Sequence, residues 1–410
     1  MAARGIVIVG SGEAGARAAI ALRDNGWSGR LTLIGDEPHP PYERPPLSKA
    51  ALTAEIEPTP PVIADCARLA ELEIERLAGV RVTAIDRAGH KLATDEAGEV
   101  SYDRLLLATG ARARRLSVEG GECAILLRSF DDALAVREKL RPKARVVIIG
   151  AGFIGLELAA SARERGCAVV VVEAAPRILT RGVPADIAAV VAARHEAAGV
   201  EIVVGCAIAR IGRAGNGLRV ELGDGRFFDA DCVIAGIGAA PEIALAAAAG
   251  LAIGNGVAVT GKLRTSDPDI FAAGDCCSFP HALYDGRRVR LEAWRNAQDQ
   301  GVFVARSMLG EVEDYCATPW FWSDQYDLHL QIAGLVDAGP RTIRRDLGEG
   351  ARLDFHLAAD GTLVAASAIG RIGQVAKDAR IAEMLIARRA KPDPSYLAAR
   401  DGKLKALLAA

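Results

Sequence analysis

The chain has little net charge, no long apolar run and no closely paired cysteines of the metal-binding kind. Fifty Lys and Arg face 52 Asp and Glu, a formal net charge of −2, so there is no global field of the sort that draws a protein to nucleic acid or an anionic membrane. The longest apolar stretch, Ile243 to Ile253, is mostly Ala and is broken by Gly250. That is well short of the roughly 20 residues a membrane span needs. Eight cysteines are present and no two are spaced C-x-x-C, so neither a zinc site nor a disulfide framework is expected. Cys167, Cys206 and Cys232 fall inside apolar strand-like runs and read as buried small hydrophobes. Met1 leads straight into the strand-like Ile6–Val9 without a basic-plus-apolar leader, and a cytoplasmic location is expected.

What the sequence does hold is a repeat. Residues 4–37 and 144–174 share one plan: a β-branched run, a glycine turn, an Ala-rich helix, a glycine, and a second β-branched run ending in an acid. Gly10, Gly15 and Gly26 align on Gly150, Gly155 and Gly166. A second echo pairs Asp103–Gly110 with Asp231–Gly238. Strand–helix alternation of this kind predicts α/β architecture with two doubly wound, Rossmann-like units on parallel sheets. The spans expected are 1–110 with 241–318 for a discontinuous first domain, 111–240 for the second, and 319–410 for a small α+β C-terminal domain. That last span opens on clustered aromatics, Trp320-Phe321-Trp322, and holds the turn Asp360-Gly361 and an amphipathic helix from about Val375 to Arg389, ended by Pro392 and Pro394.

Gly10-Ser-Gly12-Glu13-Ala14-Gly15 is a G-x-G-x-x-G turn. Its first glycine permits the tight strand-to-helix turn, its second lets a pyrophosphate approach the backbone, and its third lets helix and strand pack closely. With 43 glycines in 410 residues, a shuffled chain would give about half such a match by chance. Context makes the difference. The motif follows Ile6–Val9, opens an Ala-rich helix, and is succeeded by Leu31–Ile34 with Asp36 just beyond. Gly150-Ala-Gly152-Phe153-Ile154-Gly155 repeats every element, and Val169–Val172 ends in Glu173. A carboxylate there accepts both hydrogen bonds of an unmodified ribose and repels a 2′-phosphate, and Ala174 and Ala175 follow in place of an arginine. NADH is therefore expected over NADPH.

Five stretches bring a family into view: Tyr42–Lys49, Leu106–Gly110, the second glycine motif running into Leu156-Glu157-Leu158, Thr265–Asp275, and Trp320–Gln325. Over nearly its whole length the chain resembles the oxygenase-coupled, NADH-dependent ferredoxin reductases, among them putidaredoxin reductase, rubredoxin reductase and the reductases of aromatic-ring dioxygenases, and more distantly apoptosis-inducing factor. The resemblance implies a glutathione-reductase-like architecture with FAD on the first unit and NADH on the second. For FAD it implies contacts from Gly10, Gly12, Glu13, Ala14, Gly15, Asp36 (adenosine ribose), Arg44, Lys49, Val82, Thr109, Gly110, Arg128, Asp275 (ribitol), Ala293 and Trp294. For NAD it implies Gly150, Gly152, Phe153, Ile154, Gly155, Glu157, Glu173 and Gly238. The helix-like run Leu291–Gln298 would point its start at the flavin pyrimidine, where a helix N-terminus stabilises negative charge; Trp294 serves the flavin or the core. Lys49, expected near the first turn of a helix opened by Pro45 and Pro46, and Glu157 are the candidate catalytic pair, holding the nicotinamide and supporting charge as flavin N5 receives hydride. No metal site is expected.

Disulfide reductases of this architecture carry a C-x4-C pair on the helix after the first nucleotide unit, and related oxidases carry one Cys there. Here the stretch Glu43–Lys49 has none. Without a thiol relay, electrons pass directly to a one-electron acceptor, expected to be an acidic [2Fe–2S] ferredoxin that supplies an oxygenase. Cys276 and Cys277 read as burial beside the flavin rather than a redox disulfide. Docking candidates are Arg287, Arg288, Arg290, Arg295 and Arg306, with a second cluster at Arg341, Arg344 and Arg345. Trp320 and Trp322 either line an electron path or fill the C-terminal core. A monomer is expected. A rubredoxin acceptor, an NADH oxidase and a redox-sensing interaction protein stay open as alternatives.

Overall fold

A computed structural model describes residues 5–311, 313–371 and 373–409. The chain divides into two compact units. The first comprises residues 1–43, 60–112 and 240–319, the second 44–59, 113–239 and 320–410. Residues 44–59, which sequence reasoning kept with the first nucleotide domain, pack with the second unit.

The first unit is built on a five-stranded parallel sheet in the order Ile270–Ala272, Arg104–Leu107, Ile6–Val9, Leu31–Gly35, Glu75–Ala78. Its inner strands read as largely apolar runs because both faces are covered, while the edge strand Glu75–Ala78 is polar and partly exposed; Ile6, Ile8, Leu31, Leu33, Leu105, Leu106 and Phe271 are buried in one core. A three-stranded antiparallel sheet, Val82–Asp86 with Lys91–Thr94 and Glu99–Ser101, and a four-stranded sheet through Cys277–His281 complete it. The helix Trp294–Met308 packs against the helix Glu13–Asp24 closely enough that a Cβ on Gly301 would sit 2.6 Å from the Ala14 carbonyl oxygen.

The second unit repeats the plan: Val200–Val204, Ala168–Glu173, Arg145–Ile149 and Cys232–Ala235 form a parallel sheet in that order. The second echo takes its place in both. Arg104–Leu107 pairs with Ile6–Val9 as Cys232–Ala235 pairs with Val146–Ile149. An antiparallel meander, Ile208–Ala214, Gly217–Leu222 and Phe227–Ala230, packs beneath. The C-terminal part is a five-stranded antiparallel sheet ordered Trp320–Gln325, Leu328–Gly334, Leu363–Arg371, Ala351–Leu357, Arg341–Gly348. The helix Ala376–Ala387 lays Ala379, Ala382, Leu385 and Ile386 on its apolar face with Leu353 and Phe355, so the expected amphipathic helix is present. Cys167, Cys206 and Cys232 are buried as expected. Among the described residues no helix is long and apolar enough to cross a membrane.

Candidate functional site

Each unit carries one glycine turn, and the two are shaped alike. Gly10 has φ +110°, and a Cβ there would lie 2.1 Å from the Ala108 carbonyl oxygen; Gly150 has φ +102° with 2.5 Å to Gly236. Both positions require glycine twice over, by conformation and by the strand end pressed against them. A Cβ on Gly15 would meet Gly10 O at 1.9 Å, and one on Gly155 would meet Gly150 O at 2.0 Å. The second glycines differ. Nothing lies within 4 Å of a Cβ placed on Gly12 or Gly152, and each caps a 12-residue helix with no side-chain hydrogen bond to the first turn. Open space before uncapped N–H groups is what a pyrophosphate needs, so the chain fits a dinucleotide at both turns.

The acidic partners are placed unequally. Asp36 follows the strand Leu31–Gly35, is well exposed and lies 3.6 Å from Arg81 Nη2. Glu173 ends its strand and turns back on the glycine turn, where Oε2 accepts the Ala151 N–H at 2.7 Å and Oε1 the Ala175 N–H at 2.8 Å. Each oxygen keeps a lone pair for a ribose hydroxyl. Glu13 Oε1 accepts from Arg17 at 2.8 Å, whereas Oε2 is buried without a hydrogen bond. Burial pushes the Glu13 carboxyl above its ordinary range against the opposing pull of Arg17. The Trp294 side chain also meets this carboxyl and pulls in the same direction as Arg17.

Val82 is buried at the start of its strand. Thr109 Oγ1 donates to Glu242 O at 2.7 Å beside Gly110. Asp275 lies in the turn Gly274–Cys276; the Gly274 N–H donates to Gln300 Oε1 at 2.7 Å and Arg290 Nη1 to Asp275 O at 3.3 Å. Ala293 is the extended residue before the helix Trp294–Met308, whose start has no side-chain cap. These residues belong to the first unit. Arg44, Lys49 and Arg128 belong to the second, where Arg44 Nη1 donates to Arg128 O at 2.5 Å. Gly238, at φ +96°, also lies there.

The second unit brings the candidate catalytic pair together. Lys49 Nζ stands 2.7 Å from Glu157 Oε2, and the Glu157 side chain is buried. The local backbone differs from the expected helix opening. Pro45–Ser48 form one tight 3₁₀ turn, Ala50–Thr53 a short helix, and Lys49 is the non-helical residue between them at φ −127°, ψ −105°. The two prolines occupy the first positions of that turn, where an N–H has no intrahelical acceptor, so they open the turn without causing the break that follows it. The break frees Lys49 to reach Glu157.

Two serines that sequence reasoning missed complete the carboxylate's shell. Ser48 donates to Oε2 at 2.5 Å and Ser323 to Oε1 at 2.6 Å. The signal was available in the period-2 pattern of Trp320–Gln325. Phe321 meets Phe153 with ring centroids 4.0 Å apart, Ser323 meets Glu157 and Gln325 meets His195, while Trp320 and Trp322 on the alternate positions stack at 5.2 Å. Trp320 packs on the C-terminal core.

Several arginines expected at a docking surface are engaged elsewhere. Arg345 is buried, with its guanidinium spent on the Leu397, Gly402 and Tyr396 carbonyls. It holds the chain end in place and is not a docking residue. Its neighbour Arg344 pairs with Asp186 and Asp354, because successive strand residues face opposite ways. Arg290 is half-buried against Glu292, and Arg288, though exposed, donates to Val259 O and Ser278 O. Arg295 pairs with Asp299 and Arg306 with Glu311 while staying partly exposed, and Arg287 and Arg341 are exposed. Cys276 and Cys277 are free thiols, fully buried, and burial raises both above the ordinary thiol range. They hold no disulfide.

With this geometry in place, likeness to known proteins can be weighed. Residues 4–301 match the pyridine nucleotide-disulphide oxidoreductase pattern. The chain belongs to that family. Residues 320–408 match the reductase C-terminal pattern. The chain is 39% identical over 416 residues to the anthranilate 1,2-dioxygenase system ferredoxin–NAD(+) reductase component of Burkholderia cepacia, covering 100% of both. It is 41% identical over 334 residues to rubredoxin–NAD(+) reductase of Pseudomonas putida, covering 81% of this chain and 86% of that one. In a solved covalent putidaredoxin reductase–putidaredoxin complex, one chain matches with a TM-score of 0.93 at 34% identity over 99% of this chain and 98% of that one. The family and fold implied by the five sequence stretches are therefore the family and fold of this chain.

Proposed function

We propose that this flavoprotein oxidoreductase of the family is an FAD-dependent NADH:ferredoxin reductase serving an oxygenase. The observation that carries the reading is what stands in place of sulfur. The stretch Glu43–Lys49 has no cysteine and instead delivers Ser48 and Lys49 to the buried Glu157.

Bound FAD would supply an N5 position able to accept hydride and a ring able to pass electrons on singly, with NADH as the donor and a small carrier as the acceptor. The protein binds, orients and tunes. Gly10, Gly12 and Gly15 with the uncapped first turn at Glu13 and Ala14 receive the FAD pyrophosphate, Asp36 the ribose and Asp275 the ribitol chain. Val82, Thr109 and Gly110 complete the first unit's share of the cradle. The open start of the helix at Ala293 and Trp294 presents N–H groups and a positive dipole end to the flavin pyrimidine. Gly150, Gly152 and Gly155, with Phe153, Ile154 and Gly238, receive NADH, and Glu173 accepts its ribose hydroxyls. Lys49, held by Glu157, donates to the nicotinamide carboxamide and fixes the ring for transfer. The acceptor is an acidic [2Fe–2S] ferredoxin that docks on exposed cations such as Arg287 and Arg306, and the enzyme works as a cytoplasmic monomer. A rubredoxin acceptor is the second reading, favoured by the 41% identity to a rubredoxin–NAD(+) reductase.

The test is a carrier screen with the purified, yellow protein. NADH should reduce bound flavin and then a [2Fe–2S] ferredoxin faster than a rubredoxin, and Glu157→Ala should slow flavin reduction with FAD content unchanged. Protein that stays colourless after reconstitution with FAD, or a Glu157→Ala variant with normal reduction kinetics, refutes the assignment.

A further inference from the structure

Glu157 is the end of a longer buried chain of hydrogen bonds, all within the second unit. Tyr326 Oη lies 3.4 Å from His195 Nδ1, His195 Nε2 lies 2.8 Å from Gln325 Oε1, Gln325 Nε2 lies 3.0 Å from Ser323 Oγ, and Ser323 Oγ lies 2.6 Å from Glu157 Oε1. His195, Ser323, Gln325 and Glu157 are each 4% exposed or less.

The chemistry of the groups leaves this chain one direction. The amide oxygen of Gln325 only accepts, so His195 Nε2 carries the proton and Nδ1 of the neutral ring accepts from Tyr326. The amide nitrogen of Gln325 only donates, so Ser323 Oγ receives that hydrogen bond and spends its single proton on Glu157. Burial, the largest influence, together with the neighbouring Arg194, lowers the His195 imidazole below its usual range, in keeping with a neutral ring. Every dipole in the row therefore points its positive end toward the Glu157 carboxylate, and aligned hydrogen bonds strengthen one another in a dry interior. On the other side of the carboxylate, Ser48 and Lys49 share Oε2. Four polar side chains in the interior are a poor way to fill space, since apolar residues would pack there without desolvation penalty.

We infer that Ser323, Gln325 and His195 are positioning residues that lock the rotamer of Glu157 and, through it, present Lys49 to the nicotinamide. The inference rests on the role of Glu157 proposed above and assigns to the C-terminal strand a part in hydride transfer.

The experiment compares FAD-loaded Ser323→Ala, Ser323→Thr, Gln325→Glu and Glu157→Gln with the unaltered chain. Gln325→Glu keeps the shape and, as a carboxylate, removes the donor to Ser323, so it serves where Ser323→Ala fails to fold. Two readouts are taken. One is the flavin-reduction rate at saturating NADH, separated from NADH affinity by stopped flow. The other is the rate at which an amine-selective reagent labels Lys49 in the protein without NADH, followed on the Lys49 peptide by mass spectrometry. Losing the Ser323 hydrogen bond to the Glu157 carboxylate predicts a rate about ten-fold lower in Ser323→Ala, and losing the Gln325 bond to the neutral Ser323 hydroxyl predicts a rate severalfold lower in Gln325→Glu, with NADH affinity little changed in both. Lys49 labelling should change severalfold in both, and Ser323→Thr should restore both readouts. Wild-type rates in Ser323→Ala and Gln325→Glu alongside a slow Glu157→Gln would overturn the positioning role alone. So would slow reduction with Lys49 labelling unchanged. Normal reduction in Glu157→Gln would remove the underlying reading instead.

Discussion

Gly152 and Gly155 are three residues apart in one turn, yet the structure separates their tasks, and a pair of alanine substitutions should expose the difference. At Gly155 a new Cβ would stand 2.0 Å from the Gly150 carbonyl oxygen. Ordinary contact begins near 3.4 Å, so relieving the clash asks the helix Phe153–Glu164 to lift by about 1.4 Å from its sheet, an overpacking strain of about 1–3 kcal/mol. That helix carries Leu156, Leu158, Ala159 and Ala162 into the core, and the melting temperature should fall by several degrees. At Gly152 the methyl group enters open space from an extended residue at φ −80°, ψ −175°. The fold should hardly register it, whereas a phosphate approaching the backbone would. Calorimetric titration with NAD+ and a thermal melt of the same FAD-loaded preparations decide the matter. The expectation is a Gly152→Ala protein that melts like the unaltered chain and binds NAD+ about ten-fold more weakly, a loss of about 1.4 kcal/mol. Full-strength NAD+ binding by Gly152→Ala, or a loss of stability equal to that of Gly155→Ala, would refute the division of labour.

Other outcomes follow from the same structure. Kinetics should favour NADH over NADPH, and Glu173→Ala combined with Ala174→Arg should move the kcat/KM ratio toward NADPH; an unmoved ratio removes Glu173 from cofactor choice. In the native protein Cys66 and Cys316 should react quickly with a thiol reagent, being exposed, and Cys276 and Cys277 only on unfolding; rapid loss of either buried thiol, followed by peptide mapping, would count against the core described. Burial takes His281 down to about 4 from 6.5. The unfolded chain therefore binds this proton first, and stability should decline as pH falls through that interval; His281→Gln should flatten the decline in melts between pH 7 and pH 5, and an unchanged slope would exclude the residue. Carrier turnover should fall steeply as salt rises if docking is electrostatic, and a flat response would rule that out.

The parallel cores and both glycine turns were legible from residues alone because local constraints write them twice. A β-branched run, a glycine forced to positive φ and an Ala-rich helix recur at Gly10 and Gly150, and each copy reports on the other. The strands that pair with the first strand of each unit, Arg104–Leu107 and Cys232–Ala235, were legible for the same reason, through the echo of Asp103–Gly110 in Asp231–Gly238. Long-range side-chain choices were not. Nothing near Arg345 in sequence announces that its guanidinium meets three backbone carbonyls some 50 residues further on, so a buried strut looked like surface charge. Lys49 misled in the opposite way. Two prolines suggested a helix opening, but the chain breaks at Lys49, whose partner Glu157 lies 108 residues later. Ser48 and Ser323 gave no signal as isolated serines; the alternating faces of Trp320–Gln325 make Ser323 readable, and Ser48 is readable only from its contact with Glu157.

The strand Trp320–Gln325 begins the C-terminal match, so a protein engineer would naturally place a splice junction beside it. Its inward face is nonetheless committed, side chain by side chain, to Phe153, Glu157 and His195. Grafting the tail of one reductase onto the body of another is then a matter of lock and key in several places at once: 45–49, 153–157, His195 and 320–325 would have to travel as a set. Chimeras that respect only the boundary between matched patterns should fold and take up flavin but turn over poorly, and co-transfer of the rest of the set should repair them.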